Sequence, residues 1–126
     1  MLTVLLVDHD PLQASLRKSL LEKRFPKVRR VGDAAEALCL VEQPQFAANL
    51  GLVVSGNHGP GMTASAFVSE LHTRMPSVPV LVLGGEGERA EDYTAPFVGF
   101  LPRPFDGDEM LAIVGRMLVQ YEYKSA

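Results

Sequence analysis

Four short stretches concentrate the side chains able to do chemistry. They are Asp8-His9-Asp10, the run Gly56-Asn57-His58-Gly59-Pro60-Gly61-Met62 preceded by Ser55, Gly84-Gly85-Glu86-Gly87-Glu88, and Pro102-Arg103-Pro104-Phe105. Two imidazoles, His9 and His58, together with the carboxylates Asp8 and Asp10, form a ligand set that suits Zn2+ or another transition metal. Arg103 with the backbone amides of Gly84 and Gly85 suits a phosphate-bearing anion. The simpler reading of the same residues is structural: Asp10 caps a helix, Asp8 pairs with Arg103, and His9 and His58 stay partly exposed with no ligand. The glycine run resembles a phosphate loop only in its glycine count. Glu86 and Glu88 repel an anion, and no helix-opening Lys-Ser or Lys-Thr follows, so a flexible surface loop is expected.

The elements that must position these residues follow from hydrophobic periodicity. Short apolar runs at Thr3–Val7, Val28–Val31, Leu50–Ser55, Val80–Leu83 and Phe97–Leu101 read as strands buried on both faces, and stretches of helical spacing lie between most of them. The first helix starts near Asp10-Pro11 and ends around Phe25-Pro26, with Leu12, Leu16, Leu20 and Leu21 on one face. Further helices are expected at Ala34–Val41 after Asp33, at Ala64–Met75, and at Asp108–Tyr121 with Met110, Leu111, Val114, Met117 and Leu118 inward. Glu86–Tyr93 is polar and interrupted by Gly87, so that helix should be short or irregular. Strict alternation of strands and helices specifies an α/β fold, a doubly wound three-layer sandwich. The functional crevice of such a sheet lies beyond the carboxyl ends of its strands. All four chemical stretches follow strands.

Composition bounds the function. With 47% hydrophobic and 21% charged residues the chain is a compact domain that buries roughly two-thirds of its unfolded surface. Twelve basic against 15 acidic residues give a net charge of -3, which argues against direct nucleic-acid binding. One cysteine excludes an internal disulfide, and the first apolar run stops at Asp8, far short of a membrane span. A cytoplasmic protein is expected, with one domain over residues 1–121 and a tail at 122–126.

The order and spacing of Val4-Leu5-Leu6-Val7-Asp8-His9-Asp10-Pro11, Gly59-Pro60-Gly61-Met62 and Phe100-Leu101-Pro102-Arg103-Pro104-Phe105 resemble the receiver domain of two-component response regulators, from Leu2 to about Gln120. The resemblance implies a chemotaxis-regulator-like (βα)5 flavodoxin-like sheet of order 2-1-3-4-5. It also implies a site of known layout: an acidic pair after the first strand, a phospho-acceptor Asp four residues before a Pro-Gly, a Thr or Ser after the fourth strand, and a Lys-Pro-Phe after the fifth.

This chain departs from that layout at nearly every position. The acceptor place falls on Gly56, which has no side chain to carry a phosphoryl group, and the neighbouring Ser55 is an unactivated hydroxyl. The acidic pair is Asp8-His9, with Asp10 next, so a Mg2+ ligand has become an imidazole, and Mg2+ binding is expected to be weak or absent. The switch Thr or Ser is Gly84, the Lys is Arg103, and Phe100 stands where the family's rotating aromatic couples the site to the output face. The chain therefore reads as a pseudo-receiver, a non-enzymatic module without phosphotransfer that needs no cofactor. At most Asp8, His9, Asp10 and His58 would hold a metal.

Expected partners are proteins: a histidine kinase, an output domain, or a second copy through the face of the Glu86–Tyr93 segment, fifth strand and last helix. Neither a membrane nor nucleic acid is expected as a direct partner. Two alternatives stand beside this reading. One is a divergent regulator still phosphorylated by a histidine kinase at Asp8, Asp10 or Ser55, and the other is a sensor of a small anion or metal. Among residues outside the site, the cluster Arg17, Lys18, Lys23, Arg24, Lys27, Arg29 and Arg30 reads as a solvated face, and His72 as a surface residue. Met62, Met75, Met110 and Met117 read as packing residues, and Cys39 as buried and inert.

Overall fold

A computed structural model describes residues 2–85 and 88–125. Five parallel strands, β1 (Thr3–Val7), β2 (Val28–Val31), β3 (Leu50–Ser55), β4 (Val80–Leu83) and β5 (Val98–Leu101), form one sheet in the order β2-β1-β3-β4-β5. This is the flavodoxin-like order expected. The helices are α1 (Pro11–Glu22), α2 (Ala34–Val41), α3 (Pro44–Asn49), α4 (Ala64–Arg74) and α5 (Gly107–Ser125), with a 3-10 turn at Ala90–Asp92.

Alternation along the strands builds two cores. Leu5, Val7, Val53, Val80 and Val82 face α2 and α4 and pack on Ala37, Leu38, Val41, Phe67 and Leu71. Val4, Leu6, Leu52, Val54, Leu81 and Leu83 face α1 and α5 and pack on Leu21, Met110, Val114 and Leu118. The four methionines take packing places as expected: Met110 is fully buried, and Met62, Met75 and Met117 lie at the margins of the two cores. No helix among the described residues is long and apolar enough to cross a membrane.

Several boundaries and faces differ from the sequence reading. In α1 the buried stripe is Ala14, Arg17 and Leu21, while Leu12 and Leu16 are 70% and 55% exposed and Leu20 is half-buried. A small residue at 14 brings the helix close to the sheet on that stripe, and Arg17 is drawn inward by a carboxylate beneath it. The helix ends at Glu22, three residues early, because the residue before Pro26 is driven out of helical geometry. β5 starts at Val98, since Phe97 has a left-handed φ of 65° that cannot continue an extended strand. α3 was not anticipated, being a short proline-started helix whose Phe46 packs on the first core. α5 starts at Gly107, where the Asp106 side chain accepts from the Glu109 amide at 2.8 Å, and it runs past Tyr121 to Ser125. Residues 122–125 thus continue the last helix. In the Glu86–Tyr93 segment, Glu86 and Gly87 lie outside the described residues, and the remainder contains only the 3-10 turn, as short as expected.

Candidate functional site

The strand ladders carry one residue past the end of each inner strand and so align the site. The amide of Asp8 donates to Val31 O, that of Gly56 to Val7 O and that of Gly84 to Leu101 O, at 3.1, 2.9 and 2.8 Å. Asp8, Gly56 and Gly84 therefore stand side by side at the carboxyl edge of the sheet.

Asp8 is fully buried, and each of its oxygens is engaged. Oδ2 meets Arg17 Nη1 at 2.6 Å, Oδ1 accepts from the Asp10 amide at 3.1 Å, and the backbone oxygen accepts from Arg30 Nε and Nη2 at 3.1 and 2.7 Å. The expected Asp8–Arg103 pair does not form. Arg17 is only 7% exposed, so it and Arg30 leave the solvated basic face to which the sequence reading assigned them. Lys23, Arg24, Lys27 and Arg29 are exposed, as expected of that face. A buried carboxylate requires a partner, and the first two turns of α1 place a guanidinium directly above it. The sequence signal was present: Arg17 shares a stripe with Ala14 and Leu21.

Gly56 lies against that pair. A Cβ built there would sit 2.9 Å from both Arg17 Nη1 and Asp8 Oδ2, and 3.2 Å from Val7 O. The volume next to the acceptor-equivalent position is filled by the ion pair. Gly84 is filled in the same way: its Cβ would meet Phe100 Cζ at 2.7 Å and Cε2 at 3.2 Å. The Phe100 ring is turned onto Gly84 and is covered by Tyr93, whose ring stacks at 5.3 Å and 10°. The Tyr93 hydroxyl donates to Glu88 Oε2 at 2.8 Å, and burial together with this carboxylate pushes the phenol well above its ordinary pKa.

The histidines occupy different places. His9 is exposed, with Nδ1 3.2 Å from Gly32 O, so this nitrogen carries the proton. His58 is buried, contrary to expectation. Its Nε2 hydrogen-bonds Ser55 Oγ, and its ring tilts onto Phe67 at 5.5 Å. Burial lowers the His58 pKa below 6.5, opposed by the charges of Glu88 and Asp8. Ser55 is fully buried on the α2 and α4 side, in register with Val7 and Val82, and Gly56 faces the opposite way. Asp10 caps α1 as expected, its Oδ1 accepting from the amides of Leu12 and Gln13 at 2.9 and 3.2 Å.

Asp8, His9, Asp10 and His58 are thus each committed to separate protein groups, and no cluster of three or more metal-ligating side chains occurs among the described residues. Nor does the family's Mg2+ fit here. An all-oxygen octahedral site needs free carboxylates, whereas Asp8 is neutralised by Arg17 and Asp10 is spent on the helix cap.

Beyond the strand ends opens a cleft of about 670 Å³, lined by His58, Thr63, Ser65, Glu88, Tyr93 and Arg103 among others. Arg103 is exposed on its wall and makes no ion pair among the described residues; the Arg103–Pro104 peptide is cis. Outside the site, two expectations are corrected. His72 is half-buried, with Nε2 donating to Val78 O at 2.8 Å, which ties α4 to the turn before β4. Cys39 is exposed, on the outer side of α2.

No family model matches the chain. It is 31% identical, over an alignment covering 98% of its length, to response regulator Rre1 of Synechocystis sp., of which it covers 54%. It is 32% identical over 91% of its length to the C4-dicarboxylate transport transcriptional regulatory protein DctD of Pseudomonas aeruginosa, of which it covers 25%. The chain spans about half the length of the first relative and a quarter of the second. A response regulator receiver domain from Clostridium thermocellum superposes with a TM-score of 0.84 at 16% identity, over 98% of both chains. The receiver domain of the Francisella response regulator 1452 superposes with a TM-score of 0.78 at 21% identity, over 95% of this chain and 98% of that one. In fold the chain matches these solved receiver domains, and along nearly its whole length its sequence is similar to these two regulatory proteins.

Proposed function

We propose that this domain is a signalling module of the two-component type that is not phosphorylated and acts through phosphorylation-independent protein contacts. The observation that carries the reading is Gly56: no side chain is present to take a phosphoryl group, and the space around its missing Cβ is taken by Arg17 and Asp8. The surrogate acceptors are poorly placed. Asp8 and Ser55 are fully buried and held by Arg17 and His58, and Asp10 caps α1. A hydroxyl held by a neutral imidazole but closed off from solvent has no route to a phosphodonor.

In this reading the module is not an enzyme, needs no Mg2+, and works in the cytoplasm. Its partner is a protein, be it a histidine kinase, an output domain or a second copy, met on the face of the 88–93 segment, β5 and α5. The test is intact mass spectrometry after incubation with Mg2+ and a small phosphodonor, with a competent receiver domain alongside. An unmodified mass beside a labelled control supports the reading. A phosphoryl adduct removed by hydroxylamine sinks it, because a surrogate aspartate would then be the acceptor.

A second reading, small-anion sensing, draws support from Arg103, an exposed guanidinium on the cleft wall with no ion-pair partner among the described residues. Calorimetric titration with inorganic phosphate decides it: heat that disappears in Arg103→Ala supports the sensor, and no heat in the parent chain removes it.

A further inference from the structure

The connection from β4 to β5 poses a packing problem. Its only regular structure among the described residues is the 3-10 turn, none of whose three residues is buried, so it lacks the apolar face by which α1, α2, α4 and α5 are held to the sheet. Two side chains of this segment do reach inward. Tyr93 is half-buried and stacked on Phe100 of β5, and Glu88 accepts the Tyr93 hydroxyl hydrogen. Phe100 can lie in this position only because residue 84 is glycine: one methyl group there would stand 2.7 Å from its ring.

We propose that Gly84, Phe100, Tyr93 and Glu88 form an internal latch that fastens the 88–97 segment as a strap along the cleft and holds the adjoining β5 face in one preset arrangement. Tyr93 is the pivot, since it lines both the main cleft and the smaller cavity of about 380 Å³ behind it, where Ser69, His72 and Val98 lie. Lifting Tyr93 off Phe100 would open one cavity into the other and free the strap. The ring stack is directional, the hydroxyl bond is charge-assisted, and both hold the strap from the sheet side without a ligand or a modification. The latch does not depend on whether the domain accepts phosphate.

Amide hydrogen exchange of the full chain tests the latch. The readout is the amides of Asp92, Tyr93 and Val98, which are bonded to Arg89 O, Ala90 O and Ala95 O, against those of β1 and β3. Tyr93→Ala is expected to speed exchange of these three amides, two in the strap and that of Val98 bonded back to it, at least about tenfold with β1 and β3 unchanged, as a local opening would. Tyr93→Phe, which keeps the stack and loses the hydroxyl, should give a smaller increase. Gly84→Ala, which expels the Phe100 ring, should match Tyr93→Ala, and the double variant should be no faster than either single one. If Gly84→Ala fails to fold, the two Tyr93 variants carry the test alone. Unchanged strap exchange in Tyr93→Ala overturns the latch, and so does an increase spread equally over the strap and the sheet.

Discussion

Arg17 and Asp8 sit 2.6 Å apart beneath α1, both almost fully removed from solvent, on the spot that a side chain at residue 56 would need. The pair explains at once why a charged residue faces inward on α1 and why a side chain at residue 56 would have to displace it. Removing one member leaves the other charged and buried, which costs more than the pair itself contributes. Arg17→Ala is expected to lower unfolding free energy by about 3–5 kcal/mol in urea denaturation. Asp8→Ala/Arg17→Ala together should cost clearly less than the two single losses added, a coupling that a double-mutant cycle reads directly.

Gly56→Asp places at residue 56 the side-chain type that the resemblance implies for a phospho-acceptor, and it is expected to destabilise the fold without conferring phosphorylation. The new Cβ meets Arg17 and Asp8 at 2.9 Å, and the added carboxylate stands beside an existing one. Overpacking of this kind costs about 1–3 kcal/mol. Chemical denaturation should show that loss, and intact mass should show no phosphoryl adduct. Adding Arg17→Ala should lower stability further, because it relieves one contact but leaves two adjacent carboxylates without their counter-charge.

His58 gives a pH dependence of definite sign. Burial lowers its pKa below 6.5 in the folded protein, so the unfolded chain takes up a proton first as pH falls. Above 6.5 both states hold a neutral imidazole and the residue adds no pH dependence; below 6.5 stability is lost until the folded-state pKa is also passed. Denaturation midpoints measured from pH 7.5 to 5 should therefore fall more steeply in the parent chain than in His58→Gln. Equal slopes would show that His58 does not titrate differently in the two states.

Asp10→Ala removes the α1 cap and with it two amide acceptors. A loss of about 1 kcal/mol is expected in thermal or urea unfolding, typical of an N-cap. Asp10→Asn, which can still accept from the amides of Leu12 and Gln13, should retain most of it.

Chelation supplies a further check on the site. With Asp8 occupied by Arg17 and Asp10 by the cap, EDTA or added Mg2+ should leave the thermal midpoint of the parent chain unmoved. A rise with Mg2+ would mean that Asp8 and its neighbours still offer a metal site.

Strand positions were legible because an inner parallel strand is apolar on both faces. Thr3–Val7, Leu50–Ser55 and Val80–Leu83 need no tertiary information, whereas Val28–Val31 is an edge strand with Arg29 and Arg30 between its valines, and the left-handed backbone of Phe97 cannot be inferred from an apolar side chain. The helix faces were less legible. The leucines at 12 and 16 form a convincing stripe, yet the stripe that turns inward contains Arg17, chosen by a carboxylate nine residues back in sequence. The same long-range choice hid the partner of Asp8: Arg103 stood in the expected motif, while Arg17 looked like one member of a charged run. Gly56 and Gly84 were singled out by the family resemblance, and what occupies their missing side-chain volume depends on packing that only the fold provides. His58 is a similar case, buried by Ser55 and Phe67 from two different elements.

The two back-filled glycines also restrict which sequences can be reached from this one. At residue 56 and at residue 84 a neighbour has already grown into the vacancy, so each single substitution toward a functional side chain meets occupied space before it can confer any benefit. A side chain introduced at either position therefore needs a compensating change in the neighbour that fills its space, Arg17 or Asp8 in the one case and Phe100 in the other, and an engineer would have to rebuild both spots together.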